Sequence, residues 1–156
     1  MKTTVTNIKR TTSSDPDFQY LVQLLDEDLA RRNGEQNNFY AQYNKIDLIK
    51  NAIVYYEDHV AAGCGAFKTF DSETVEIKRM FVKPEFRGRR IGTKILAELE
   101  RWANELKYIQ TVLETGHTNP EAKMLYRKFG YEIIPNFGQY VGVDNSVCMK
   151  KNLIIS

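Results

Sequence analysis

Cysteine and histidine are scarce in this chain of 156 residues, with two of each. Two cysteines, Cys64 and Cys148, are too few for a disulfide framework or a cysteine zinc site. Both stand in apolar, strand-like surroundings, which suit buried free thiols better than a bridge. His59 and His117 have no cluster of Cys or Asp beside them, so no metal is expected. No apolar run reaches the roughly 18 residues of a membrane-spanning helix. The start, Met1-Lys2-Thr3-Thr4-Val5-Thr6-Asn7, is polar and lacks the apolar core of a secretory leader. The cytoplasm is therefore the expected location, with no membrane partner. A surplus of one charge is also missing: 22 Lys and Arg stand against 20 Asp and Glu. A dedicated nucleic-acid binder would carry a basic excess, so no nucleic-acid partner is expected. Repeats, low-complexity tracts and Pro/Gly/Ser linkers are absent, which leaves one domain over residues 1–156.

What is present is enough for a core. Aromatics reach 12% and hydrophobic residues 42%, which excludes disorder as the dominant state. A first strand is expected over Thr4 to Thr12. Asp15-Pro16 reads as a helix start, because Asp accepts from exposed backbone N–H groups and Pro at the first position gives up nothing. Phe18, Leu21, Val22, Leu25 and Leu29 follow at helical spacing. Arg31 to Asn38 is polar and reads as a mobile surface loop, and Phe39 to Ile49 as a shorter helical or irregular piece. Three strands come next, Ala52 to Glu57, Val60 to Phe70 and Thr74 to Val82, joined by turns at Asp58-His59 and Asp71-Ser72-Glu73. Gly63 and Gly65 mark a bulge or a close backbone approach. In the third strand Val75, Ile77 and Phe81 are expected on one face, and Glu76, Lys78, Met80 and Val82 on the other.

After Lys83-Pro84 the period changes. Ile91, Ile95, Leu99, Trp102 and Leu106 form a helical stripe. Gln110 to Thr115 is a short buried strand. Asn119-Pro120 starts another helix, with Ala122, Leu125, Tyr126 and Phe129 on its inner face and Gly130 ending it. Tyr131 to Ile134 and Ser146 to Leu153 are the last strands. The pattern is α/β: a mixed central sheet with helices on its faces.

The chemistry concentrates between Met80 and Thr93. A strand ends, a basic loop with Gly88 and Gly92 follows, and a long helix begins. From Lys78 to Lys94 there are seven basic residues and one acid, Glu85. A helix start offers unpaired N–H groups and a partial positive charge, and glycine lets backbone approach a ligand closely. A phosphate or pyrophosphate is the expected ligand; a solvated basic loop is the alternative. The segment is neither the phosphate loop of nucleotide hydrolases nor the dinucleotide fingerprint, whose glycine spacings differ.

The segment Arg87-Gly88-Arg89-Arg90-Ile91-Gly92 resembles the acyl-CoA loop of the GNAT superfamily of N-acyltransferases, whose pattern is Gln/Arg-x-x-Gly-x-Gly/Ala. Arg90 stands where the central glycine is usual, and a guanidinium there also suits phosphate. Asn119-Pro120-Glu121-Ala122, followed by Leu125-Tyr126 and Gly130-Tyr131, is similar to the family's second hallmark. The resemblance covers about residues 50 to 151. It implies the GNAT fold, with an acetyl-CoA site between two splayed parallel strands. Backbone groups of Met80, Phe81 and Val82 would line it, those of Met80 and Val82 pairing with the pantetheine arm like another strand. Backbone N–H groups of Arg87, Gly88, Arg89, Arg90, Ile91, Gly92 and Thr93 would hold the pyrophosphate, and Asn119 would bond the pantetheine. The segment before residue 50 would line the acceptor site.

Acyl transfer to an amine needs a base for the ammonium and benefits from an acid for the thiolate. Tyr126 matches the family position whose phenol lies near the CoA sulfur; on residues alone it is also a core aromatic. Glu76 stands where some members carry a general-base glutamate, and reads otherwise as a cross-strand ion pair. His59 and His117 read as a turn and a loop residue. Tyr40, Tyr43, Tyr55 and Tyr56 suit an amine pocket or plain packing, and Glu27 and Asp28 a cation-attracting rim or a solvated helix face. The resemblance implies an acetyl-CoA-dependent N-acetyltransferase acting by direct attack on a primary amine, with no metal. Homodimers are common in that family. The rival readings are a non-catalytic acyl-CoA-binding module and a small RNA-binding domain built on the basic loop.

Overall fold

In the computed structural model, which describes residues 3–33, 48–117 and 119–153, the elements begin where their sequence signals stand. Asp15 Oδ1 accepts from Asp17 N at 2.8 Å and Phe18 N at 3.3 Å, opening α1 (Pro16–Asn33). The strands β1 (Thr6–Thr11), β2 (Asn51–Glu57), β3 (Val60–Asp71), β4 (Thr74–Val82), β5 (Gln110–Gly116), β6 (Glu132–Ile134) and β7 (Ser146–Asn152) fall within two residues of the expected bounds. Helix α2 covers Ile91–Glu105 and α3 covers Pro120–Lys128. Short 3-10 turns at Pro84–Phe86 and Gly138–Tyr140 were not expected. Leu106 is 48% exposed just past the end of α2, so it drops out of the predicted stripe. The expected loop from Arg31 to Asn38 and the piece from Phe39 to Ile49 lie largely outside the described residues. Among the described residues no helix is long and apolar enough to cross a membrane.

The sheet order is β1-β2-β3-β4-β5-β7-β6. Only β4 and β5 run parallel, and their ladder stops at Ile77↔Leu113. Beyond that pair the two strands have no ladder between them. One face packs against α2 and α3 through Ile53, Phe67, Val75, Ile77, Ile95, Leu99, Leu113 and Met149. The other packs against α1 through Ala52, Val54, Cys64, Ala66 and Phe81. Gly65 is required by the first face: a Cβ there would stand 2.7 Å from Met80 Sδ and 2.8 Å from Ile95 Cγ2. Helix α2 seats directly on the backbone of β3.

Strand β4 departs from its expected alternation. Arg79 adopts a left-handed backbone (φ 62), and the register with β3 shifts between Cys64↔Phe81 and Ala66↔Lys78. One extra residue in a strand exchanges the faces of everything after it. Met80 and Val82 therefore join Val75 and Ile77 on the α2 face, while Phe81 turns to the α1 side. Glu76 does not share a face with Met80 and Val82. It stands with Lys78 on the α1 side, where Lys68↔Glu76 and Ala66↔Lys78 are the cross-strand pairs.

Candidate active site

The end of the β4–β5 ladder makes a fork. Lys83 N donates to Ala62 O at 2.9 Å, so by alternation residues 80 and 82 turn their backbone groups away from β3 and into the fork. A cleft of about 390 Å³ opens there. Its walls include Met80, Phe81, Val82, Arg87, Gly88, Arg90, Ile91, Gly92, Thr93, Asn119 and Tyr126. Thus eleven of the thirteen candidate residues meet in one cleft. The other two, Arg89 and Glu76, are not among its walls.

The basic loop is shaped by backbone and by internal pairing. Gly88 has φ +83, a conformation glycine adopts without strain. Arg90, at the N-cap of α2, has φ 62 and ψ 22. This left-handed position accounts for glycine as the usual residue there, since a side chain costs roughly 1–2 kcal/mol in that region. Arg90 is itself among the residues that line the cleft. Arg87 Nε donates to Val82 O at 2.9 Å and its guanidinium lies over the Phe81 ring. Arg89 turns away to pair with the buried Glu57 and lie over Phe86. Its contribution to an anion site is confined to backbone. No acid stands in the first turn of α2, so the helix itself does not offset its N-terminal partial charge.

Asn119 uses its side-chain oxygen for the helix: Oδ1 accepts from Ala122 N at 3.2 Å. Its Nδ2 remains the group that could donate to a ligand. Tyr126 is buried, with its ring edge-on to Tyr131 at 5.7 Å between centroids. Its hydroxyl makes no hydrogen bond within the described residues, and Tyr126 is among the residues that line the cleft. Burial, and then the charge of Glu114, hold its pKa well above that of an ordinary phenol. At neutral pH it is a protonated donor.

Across the fork a polar cluster occupies the α1 side of the sheet. Lys78 and Glu114 are the first residues past the ladder on β4 and β5. Glu76 and Lys78 approach to 3.5 Å, each with a side chain 7% exposed. Burial pushes the Glu114 carboxyl up to about 7, against a hydrogen bond from Ser146 and the charge of Lys78. One of its oxygens, Oε2, is buried without a hydrogen-bond partner. Tyr140 is 2% exposed and senses both carboxylates. Sequence reading missed Glu114 because Gln110 to Thr115 reads as a plain buried strand. The one available signal was a carboxylate inside an apolar run.

The remaining candidates separate. His59 and His117 are exposed. Tyr55 and Tyr56 are held by Lys94 and Asp17 and do not line the cleft; Tyr40 and Tyr43 lie outside the described residues. Asp28 does reach the cleft wall, whereas Glu27 is exposed. Cys64 and Cys148 are buried and unbridged. Among the described residues no group of His, Cys, Asp and Glu could hold a metal ion.

A V-shaped opening in a mixed sheet, faced by a basic helix start, defines an acyl-CoA-transferase type of fold. The chain matches the model of the acetyltransferase (GNAT) domain over residues 49–133, more than half its length, and belongs to that family. It is 39% identical to the IAA acetyltransferase of Azospirillum brasilense across 58% of this chain and 60% of that protein. It is 34% identical to an uncharacterized N-acetyltransferase of Schizosaccharomyces pombe across 51% and 50%. The chain thus matches about half of the length of these curated relatives, or somewhat more. Among solved structures, a Klebsiella pneumoniae protein assigned to the acyl-CoA N-acyltransferases superposes with a TM-score of 0.81, at 28% identity over 96% of this chain and 99% of that one. The PaiA N-acetyltransferase of Thermoplasma acidophilum, solved with coenzyme A, shares the fold at a TM-score of 0.72 and 17% identity, over 95% and 99%.

Proposed function

We propose that the protein is an acetyl-CoA-dependent N-acetyltransferase that passes the acetyl group directly to a primary amine in a ternary complex. The observation that carries this reading is a cleft at the fork whose walls include both the basic start of α2 and Tyr126. The residues fit the cosubstrate. Backbone N–H groups from Arg87 to Thr93 and the Arg87 and Arg90 guanidiniums suit a pyrophosphate. The turned-out backbone of Met80 and Val82 and the amide of Asn119 suit the pantetheine amides. The coenzyme A bound to the Thermoplasma relative supports the same ligand class.

In this reading acetyl-CoA enters from the α2–α3 side and the amine from the α1 side. Of the two carboxylates at the fork, Glu76 is engaged with Lys78. We assign the base to Glu114, whose pKa of about 7 lets it take a proton near neutrality. The deprotonated amine attacks the thioester carbon, the C–S bond breaks as Tyr126 gives its proton to the departing sulfur, and the surplus proton released by the nitrogen as the amide forms restores the Tyr126 phenol. Both cysteine thiols are buried and pushed up by burial, which disfavours a covalent acyl-enzyme. The test is release of coenzyme A thiol from acetyl-CoA across a panel of primary amines, with calorimetry for acetyl-CoA. Binding together with amine-dependent release supports the proposal. Binding without release for any amine reduces the protein to an acyl-CoA-binding module.

A further inference from the structure

Helix α3 does little by itself to fix the ring of Tyr126. It is nine residues long, and Tyr126 is its one buried residue. The neighbour that holds that ring is Tyr131. The two rings meet edge-on, at 62° and 5.7 Å between centroids, and Tyr131 N donates to the Tyr126 carbonyl at 2.9 Å. Tyr131, 3% exposed, is in turn held by its hydroxyl. The O–H donates to Glu100 Oε2 at 2.9 Å. With that hydrogen committed, Thr111 Oγ1, at 2.7 Å, is the donor to the Tyr131 oxygen. The second Glu100 oxygen accepts from Lys151 Nζ at 2.7 Å. These two bonds to Glu100 favour its ionised form against burial. Side chains from α2, β5 and β7 thus converge on one buried phenol.

Filling the space does not require this network. A phenylalanine at position 131 and a leucine at position 100 would occupy much the same volume, without the hydration that a buried carboxylate gives up. What the network supplies is one fixed place for the Tyr131 ring, because a phenol bonded on both sides cannot shift without breaking a bond. That matters at Tyr126, whose own hydroxyl has no hydrogen bond within the described residues to aim it. A misplacement of about 1 Å in a reacting group can cost on the order of 10²-fold in rate. We propose that Tyr131, clamped by Glu100 and Thr111, is a positioning residue that aims the Tyr126 phenol into the cleft. This rests on the N-acetyltransferase reading above, with Tyr126 as the acid, and extends it to three residues that do not line the cleft.

The experiment is a double-variant cycle. Tyr131→Phe keeps the ring and removes the clamped hydroxyl. Glu100→Leu removes the acceptor and leaves that hydroxyl in place. Each is made in the parent and in Tyr126→Phe. The readings are kcat at saturating acetyl-CoA, with the amine of the panel that releases most thiol, the acetyl-CoA dissociation constant and the melting temperature. In the parent, kcat should fall about tenfold or more, with acetyl-CoA affinity kept within about twofold. In the Tyr126→Phe background the same changes should alter kcat by less than about twofold, because no phenol remains to be aimed. Should one variant fail to fold, the other carries the cycle. Unchanged kcat in a folded Tyr131→Phe or Glu100→Leu protein overturns the proposal. An equal loss in both backgrounds also overturns it, since that is the mark of a merely structural role. If Tyr126→Phe loses rate and Tyr131→Phe does not, the positioning fails and the acid assignment stands. A Tyr126→Phe protein as fast as the parent overturns the acid assignment and the positioning with it. Absence of thiol release with every amine overturns the transferase reading as well.

Discussion

A phenol donates a proton only while it holds one. Tyr126 meets that condition at any physiological pH, because burial and the nearby Glu114 keep it protonated. Tyr126→Phe removes one oxygen and leaves the ring against Tyr131, so the expected fall in kcat is about 10²-fold or more, with acetyl-CoA affinity nearly unchanged. A stopped-flow or steady-state kcat equal to that of the parent, with chemistry rate-limiting, would return Tyr126 to the core. Glu114 gives a prediction with a pH sign. Its folded pKa of about 7 lies above the reference value of 4.5. The native state binds the proton more tightly than the unfolded chain, so this group subtracts stability as pH rises from 4.5 through 7. The penalty is complete above that, on the order of 3 kcal/mol. Glu114→Gln should therefore gain melting temperature over the parent at pH 9 and little at pH 4. It should also lose the rise in rate that the parent shows through about pH 7. An unchanged pH–rate profile would move the base elsewhere, with Glu76 the next candidate.

At the scale of elements, the loop at the start of α2 and the break in β4 divide what was legible from what was not. The basic loop proposed for the cosubstrate is contiguous in sequence, from Arg87 to Thr93, and its charge, its glycines and the helix behind it can be read in place. Helix starts at Asp15 and Asn119 are legible for the same reason, since a cap acts within three residues. The bulge at Arg79 is different. Period-two alternation holds only while the ladder is regular, and nothing in Lys78-Arg79-Met80 announces a left-handed arginine. That one residue moves Phe81 across the sheet and separates Glu76 from Met80 and Val82. Glu114 was hidden likewise, because its charge matters only once Ser146, Lys78 and Glu76 come from other strands. The helix start itself offers a sharp test. A Cβ at Gly92 would meet Leu125 Cδ2 at 3.4 Å and Val82 Cγ2 at 3.9 Å, which are ordinary contacts. Gly92→Glu therefore fits the fold, gains helix propensity and places an acid where the helix N-terminus favours one. The same carboxylate repels a bound pyrophosphate. The expected outcome is a melting temperature equal to or above the parent's and a loss of coenzyme A affinity of at least 100-fold by calorimetry. Unchanged affinity in the folded variant would place the phosphates elsewhere.

Across the whole molecule, the two cores lie on opposite faces of the sheet. Helices α2 and α3 close one face and α1 the other, and the fork lies where β4 and β5 stop holding each other. A ligand that bonds to the outer edge of β4 stands in for the missing ladder and also touches α1, α2 and α3, whose residues Leu25, Ile91 and Leu125 all line the cleft. Binding should accordingly stabilise the protein globally. A ligand confined to the native state adds about 2.7 kcal/mol at a hundredfold excess over its Kd. For a chain of this size that is a rise in melting temperature of roughly 5–10 °C. Acetyl-CoA and coenzyme A should give the same shift, because the acetyl group adds little contact. Adenosine, which lacks both the pyrophosphate and the pantetheine arm, should shift the melt by about 1 °C or less at equal concentration. The shift from acetyl-CoA should shrink as salt is added, since the basic loop supplies part of the attraction through charge. Differential scanning calorimetry at two ionic strengths measures all of this in one series. No shift with saturating acetyl-CoA, or an adenosine shift as large as that of coenzyme A, would show that the fork is not where the cosubstrate is held.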